Sequence, residues 1–422
     1  MRLKTNAVAI ALIFSPITAY ATGDWPRPVQ RPEVIIKTTT GDIHMAEVQG
    51  ASEFGNWLNG FRQRARAQGI SDRVLNEAFS GISYNSDVVK RDRNQSEFTK
   101  QIWEYLDSAA SDARISNGRA AVQKHGDVLQ KIEDTYGVEK EIVAAVWGLE
   151  SAYGSFRGSV PIIEALATLA FDGRRGAFFE DQLIAALQIV QSGDVPPSKM
   201  TGSWAGAMGH TQFIPTSYLS YAVDFTGDGK RDIWSDNPAD ALASTAAYLK
   251  GFGWTKGQPW GVEVGLPKGF DYLQTTERVK KSPQEWAELG VRDIHGKVVP
   301  DHGEASILLP AGARGVAFMI FNNFQVIERY NTADAYVIGV GHLADRIAGR
   351  PAIKSEWPRD ERPLRITEKI EMQERLTKAG FDTQGADGII GPNTIAAIKA
   401  FQNSVGLVPD GFASSTILKR LQ

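Results

Sequence analysis

The chain has no cysteine. That excludes disulfide scaffolds, thiolate zinc sites, cysteine nucleophiles and a diacyl anchor on an N-terminal cysteine. Histidine is scarce. The six residues His44, His125, His210, His295, His302 and His342 are scattered and form no HExxH, which argues against a histidine-built catalytic metal site. An excess of one charge is also lacking: 46 Lys+Arg against 49 Asp+Glu leave −3, without the basic balance of a nucleic-acid binder. Apolar runs are short. The run Ala7–Phe14 falls well below the roughly 20 residues that span a bilayer, and no other long one follows, so no transmembrane anchor is expected.

What remains is an ordinary packing composition. Apolar residues make up 42% and charged residues 23%, so a globular protein is expected over a disordered one. The 422 residues suffice for two or three domains at roughly 100–200 residues each. Arg2 and Lys4 precede the apolar run, and Ser15-Pro16 and Ala19-Tyr20-Ala21 follow it. This is the layout of a secretory signal over residues 1–21, cleaved after Ala21, and it implies export to the periplasm.

Residues 22–50, with Pro26, Pro28 and Pro32, read as an extended leader. From Ala51 a helical period sets in, with Phe54, Trp57, Leu58 and Phe61 at i, i+3, i+4 and i+7. Helical segments are predicted around Leu129, at Glu139–Glu150, Ile162–Ala170, Phe178–Val190 and Pro238–Phe252. Between 255 and 312 the texture changes to short alternating or apolar runs such as Val262-Glu263-Val264 and Ile307-Leu308-Leu309, predicting a small α+β insertion. Helix is predicted again over Gly315–Tyr330 and Ala333–Ile347. Pro351, Pro358 and Pro363 mark a linker over 349–363. Beyond it, over 364–422, Asp387-Gly388 and Asp410-Gly411 each open a turn leading into a helix, which suggests a small three-helix module.

One carboxylate stands out. Val143, Val146, Trp147 and Glu150 share a face at helical spacing, so Glu150 lies on the apolar side near the end of its helix, ahead of Gly154. Desolvation and the negative end of the helix dipole both favour its protonated form. That suits a general acid working near neutral pH. A Glu at the edge of an apolar stripe, paired with an arginine, is the plainer alternative.

The runs Glu150-Ser151-Ala-Tyr153-Gly154, Arg174-Arg175, Ser203 to Ser217 through Gly206, Gln212, Phe213 and Pro215, and Arg329-Tyr330-Asn331 to Tyr336 and Gly341 resemble, in order, the lytic murein transglycosylase B family. The resemblance covers 51–348. It implies a mainly α architecture: a lysozyme-like α+β catalytic core carrying the insertion. It also implies cleavage of the β-1,4 bond between N-acetylmuramic acid and N-acetylglucosamine in peptidoglycan, with the muramyl C6 hydroxyl forming a 1,6-anhydro end. Glu150 then acts as acid and afterwards as base, where most glycosidases need two carboxylates. Ser203 and Gln212 are expected to hydrogen-bond the substrate near the cleaved bond. Arg174 and Arg175 are expected to meet substrate carboxylates, and Tyr330, Tyr336 and, less specifically, Tyr248 to stack on sugars. Phe213 is expected as a pocket wall. A muramidase on the same core and a non-catalytic wall-binding protein are the competing readings.

Asp224-Phe-Thr226-Gly-Asp228-Gly229-Lys230 follows the start of an EF-hand loop. The glutamate usual at the twelfth position is replaced by Ser235. Asp232, Asp236 or Asp240 is left to close a structural Ca²⁺ site, with Asp240 favoured. No cofactor is required for the chemistry. The C-terminal module, with Met372 to Leu376, Gly391-Pro392 and Phe401-Gln402 beside its Asp-Gly turns, resembles the type-1 peptidoglycan-binding domain. Peptidoglycan glycan strands are thus the expected partner, nucleic acid is not, and other cell-wall enzymes are left open.

Overall fold

The computed structural model describes residues 40–93 and 100–421. The signal sequence and most of the leader lie outside the described residues. The chain is mainly helical. Its first helices are α1 (Thr40–Ala67), α2 (Asp72–Ala78), α3 (Ser86–Arg93), α4 (Ile102–Ala109), α5 (Asp112–Lys124) and α6 (Gly126–Tyr136). The stretch 40–50, expected as extended, is therefore helical. Its prolines end at Pro32, and Met45, Ala46, Glu47 and Gln49 favour propagation back from the apolar face that begins at Phe54.

Helix α7 (Lys140–Ser151) runs through the centre, with α5, α6, α11 (Ala239–Gly251) and α14 (Asp334–Ile347) packed on it. Every residue from Ile142 to Gly148 is buried, as befits a helix apolar all round. Helices α8 (Ile162–Asp172) and α9 (Gly176–Ser192) form an antiparallel pair beside it, and α10 (Pro215–Tyr221) leans on α9. Two short pairings, Val160↔Gly202 and Pro161↔Thr201, pin the loop that carries Ser203 to the start of α8.

The insertion forms a second core, with α12 (Pro283–Glu288) and a four-stranded antiparallel sheet. Beyond the two-residue pairs β1 (Val160–Pro161) and β2 (Thr201–Gly202), its strands are β3 (Gly261–Gly265), β4 (Arg292–Asp293), β5 (Ser306–Leu308) and β6 (Ala317–Ile320), in the order β4-β3-β6-β5. Strand β6 corrects the helix predicted from Gly315. The helix there, α13 (Asn322–Glu328), starts only after the strand. The reason is burial on both faces: Phe318 and Ile320 enter the main core while Ala317 and Met319 enter the second, a period of two that apolar residues on both sides conceal.

Residues 349–363 do not hang free. Trp357 packs on the main core beside Trp103, Arg359 pairs with Asp107 at 2.8 Å, and Glu263 accepts from the Lys354 and Ser355 amides. The last module comprises α15 (Ile366–Lys378), α16 (Pro392–Ser404) and α17 (Ser415–Arg420) around Met372, Leu376, Ile398 and Phe401. It is the three-helix unit expected. Among the described residues no helix is long and apolar enough to cross a membrane.

Candidate active site

Glu150 is partly buried near the C-terminal end of α7. The chain turns sharply just beyond it. Ala152 and Tyr153 both take positive φ, +48° and +58°, before Gly154 at +85°. Two consecutive non-glycine residues in the left-handed region store strain. A Cβ on Gly154 would sit 2.6 Å from the His210 ring, so the turn closes only with glycine.

The turn is clamped from the other side by the Gly202–Phe213 loop. The Ser151 hydroxyl donates to the His210 carbonyl at 2.5 Å and accepts from the Gly154 amide at 3.0 Å. The Trp147 indole N–H donates to His210 Nδ1 at 3.1 Å, which leaves the ring proton on Nε2, donating to the Ser235 carbonyl at 2.7 Å. Burial lowers the His210 pKa, so the ring is a neutral strut. Neither Ser151 nor His210 has a role that can be read from the sequence. Nothing in their spacing reveals a pairing across 59 residues.

Tyr336, on α14, is the direct partner of Glu150: its hydroxyl donates to Oε1 at 2.6 Å. Burial pushes the Glu150 carboxyl up to about 7, and the Tyr336 hydrogen bond works against that rise. Among the described residues no second carboxylate contributes to this shift. The charge of Glu150 in turn raises the phenol pKa values of Tyr330, Tyr336 and Tyr105, after the larger effect of burial. Three tyrosines thus feel the charge of one acid, and Tyr336 touches it. Tyr105, on α4, was missed because no motif surrounds it.

The other expected residues divide. The Tyr330 hydroxyl donates to the Thr211 carbonyl at 2.7 Å, which ties it to the same loop. Gln212 sits at φ +55° and its amide donates to the Gly209 and Arg157 carbonyls, so the N–H side is spent on loop shape. The Ser203 hydroxyl accepts from the Ala207 amide at 3.0 Å and closes a turn. Phe213 is 2% exposed and Tyr248 is 7% exposed, with the Tyr248 hydroxyl on the Arg329 carbonyl. Both are buried, as is Tyr336 at 6%, so none of the three presents an open face for stacking in this structure.

Arg174 and Arg175 are not free cations. Both face the buried Asp92: Arg174 Nε lies 2.7 Å from Oδ2, and Arg175 pairs with Oδ1 while its guanidinium lies over Phe179. Both cations are thus engaged in an ion pair with α3, and Arg174 is half exposed beside it.

The loop from Asp224 to Asp240 is well formed. Single carboxylate oxygens of Asp224, Asp228 and Asp240 lie within 4.8 Å of one another. Asp240, in the first turn of α11, accepts from the Phe225, Thr226 and Asp232 amides at 2.9–3.0 Å, and so closes the loop in preference to Asp232 or Asp236. The Asp232 carboxylate is used on the Trp234 and Ser235 amides instead. The Thr226 hydroxyl turns to Asp224, and the Lys230 amide donates to Asp228.

The family description "Transglycosylase SLT domain" matches residues 53–345, and "Putative peptidoglycan binding domain" matches 368–421. The chain belongs to the SLT transglycosylase family. It is 35% identical over 241 residues to the membrane-bound lytic murein transglycosylase B of Escherichia coli, spanning 56% of this chain and 64% of that relative's length. It is similar to SltB3 from Pseudomonas aeruginosa in complex with NAG-anhNAM-pentapeptide, at TM-score 0.85 and 47% identity over 87% of this chain and 99% of that one. The Escherichia coli lytic transglycosylase Slt35 in complex with calcium matches at TM-score 0.59 and 30% identity, over 71% of this chain and 93% of that one. The lysozyme-like core is thus the fold of this family.

Proposed function

We propose that the chain is a peptidoglycan lytic transglycosylase with Glu150 as its single acid and base. The raised carboxyl of Glu150, held by Tyr336 with no second carboxylate among the described residues acting on it, carries this reading. The protonated acid gives its proton to the oxygen between N-acetylmuramic acid and N-acetylglucosamine. The C1–O bond breaks, and the N-acetylglucosamine 4-hydroxyl leaves. The muramyl C6 oxygen then bonds to C1, and its proton returns to Glu150. One group serves both steps because its pKa lies near the working pH. Mass spectrometry of products from purified sacculi tests this. The expected product carries 1,6-anhydromuramyl ends; reducing ends would make it a muramidase, and absence of products would make it a binding protein.

The reading includes an exported, periplasmic protein, a catalytic region over 51–348, and a wall-binding region over 364–422 joined through 349–363. The oxygen-rich loop of Asp224, Asp228 and Asp240 suits Ca²⁺, which would hold the loop against α11 without entering the chemistry. Calcium should therefore raise the melting temperature. A ligand binding the native state alone adds about 2.7 kcal/mol at a hundredfold excess over its dissociation constant. Equal melting curves in calcium and in chelator, with no metal by elemental analysis, would remove the site.

A further inference from the structure

The C-terminal module contains the same device twice. In the first copy Gln373, on α15, donates from Nε2 to Asp387 Oδ1 and accepts the Gly388 amide on Oε1. In the second, Gln402, on α16, donates to Asp410 Oδ1 and accepts the Gly411 amide. Both glycines have positive φ, +76° and +77°. Both turns send the amide two residues on, Ile389 or Phe412, to the aspartate Oδ1. Gly388 lies against Ile366 and Ile370, and Gly411 against Ile395 and Lys399, at matching places on the two helices.

The two copies differ in what they touch. The second is occupied by the chain itself. Asp410 Oδ2 accepts the Ala313 amide at 2.9 Å, and Gly312 lies so close to the turn that a Cβ there would meet Asp410 Oδ2 at 2.6 Å and Phe412 at 2.7 Å. Lys399 strengthens the seat by donating to the Thr275 carbonyl and hydroxyl at 2.6 and 2.7 Å. The first copy has Ile370 where the second has Lys399, so it cannot make that seat. Its Asp387 is exposed, Asp387 Oδ2 has no hydrogen bond among the described residues, and Ile389 is 67% exposed.

The occupied turn shows what such a turn reads. Its guest is Ala311-Gly312-Ala313, with Gly312 at φ +69°. An L-residue is strained and blocked there, whereas a D-residue adopts positive φ freely and carries its side chain on the other hydrogen of the α-carbon. A glycine at positive φ between two L-alanines is thus a stand-in for an L–D–L peptide. Peptidoglycan stems likewise join D-residues to L-residues and are rich in alanine.

We propose that Asp387-Gly388-Ile389 is the open twin of the docking turn and binds the L–D peptide stem of peptidoglycan, with a stem N–H on Asp387 Oδ2 and a D-residue in the place Gly312 takes on the other turn. A hollow lined by Glu374, Thr377, Lys378, Gly385 and Ala386 adjoins the turn, and Lys378 offers a cation there for a stem carboxylate. The inference rests on the wall-binding reading of the module.

The test is sedimentation of the full chain, carrying Glu150→Gln to prevent digestion, with sacculi and with glycan strands stripped of peptide. Asp387→Asn keeps the acceptor used by Gln373 and Ile389 but turns the free oxygen into a donor. It should weaken sacculus binding about tenfold or more, the scale of a hydrogen bond to a charged group. Ile389→Ser, an exposed site with no packing role, should weaken it in the same direction. The parent should favour sacculi over stripped glycan. Acetyl-L-Ala-D-Ala-L-Ala amide should compete where the all-L tripeptide does not. Parent-like binding by both variants, or equal competition by the two peptides, would overturn the inference while leaving wall binding intact. Unchanged sacculus binding after removal of 364–422 would overturn the wall-binding reading and this inference together.

Discussion

Glu150→Gln lowers turnover of sacculi by at least about 10²-fold, the usual scale for a general acid. The substitution keeps size and the ability to accept from Tyr336, whose hydroxyl lies 2.6 Å from Oε1, so the fold is retained. The same variant carries a stability signature whose sign follows from the titration. In the folded chain the Glu150 carboxyl titrates at about 7, because burial disfavours the charge; unfolded, it returns to the ordinary carboxylate range. Between those two values the unfolded state has released its proton and the folded state has not, so wild-type stability falls as pH rises through that window. Glutamine has no proton to lose. The variant should therefore melt above wild type at pH 8, with the gap narrowing toward pH 5. Near wild-type turnover, or a melting difference independent of pH, sinks the assignment. In Tyr336→Phe the bond that lowers the Glu150 pKa is lost, so the alkaline limb of the rate profile should move to higher pH.

The candidate acid was legible because helix periodicity is a local property. The spacing of Val143, Val146, Trp147 and Glu150 already assigns the acid to the buried face of α7. What holds the acid in place was not legible. The Ser151–His210 clamp and the positive φ of Gln212 depend on which loops meet, and no single-chain pattern carries that. Strand β6 was hidden for a different reason. Ala317-Phe318-Met319-Ile320 separates two cores, so both faces are apolar, and Ala and Met lean toward helix. The prolines after Arg350 mark a linker in the sequence. Yet Trp357 and Arg359 within it are a stacking group and a forked cation, and both find partners on α4. A tryptophan in a supposed linker was the unused signal.

The arginine pair gives the largest expected stability effect. Asp92 is 1% exposed and carries both guanidinium groups: Arg174 at 2.7 Å on Oδ2 with a second bond to the Asp92 carbonyl, and Arg175 on Oδ1. Arg175 also precedes the first turn of α9, with its guanidinium 4.8 Å from the Phe179 ring centre, and its buried Nε has no partner among the described residues. Removing the carboxylate leaves Arg175 with a buried charge and no counter-ion. Breaking such a pair from one side costs about 3 kcal/mol or more, because the survivor keeps its desolvation cost and loses its attraction. Asp92→Ala should therefore lower the denaturant midpoint strongly. Arg174→Ala should move it little, since that side chain is 49% exposed and exposed pairs contribute under about 1 kcal/mol. The contrast separates two readings of the same motif. If the arginines serve the substrate, Asp92→Ala frees them and leaves the midpoint unmoved while altering KM for peptide-bearing glycan. If they serve the fold, the midpoint falls, and KM of the folded fraction stays put because the cations never faced the substrate. The geometry around Asp92 favours the second outcome, and an unmoved midpoint would return both arginines to the binding surface.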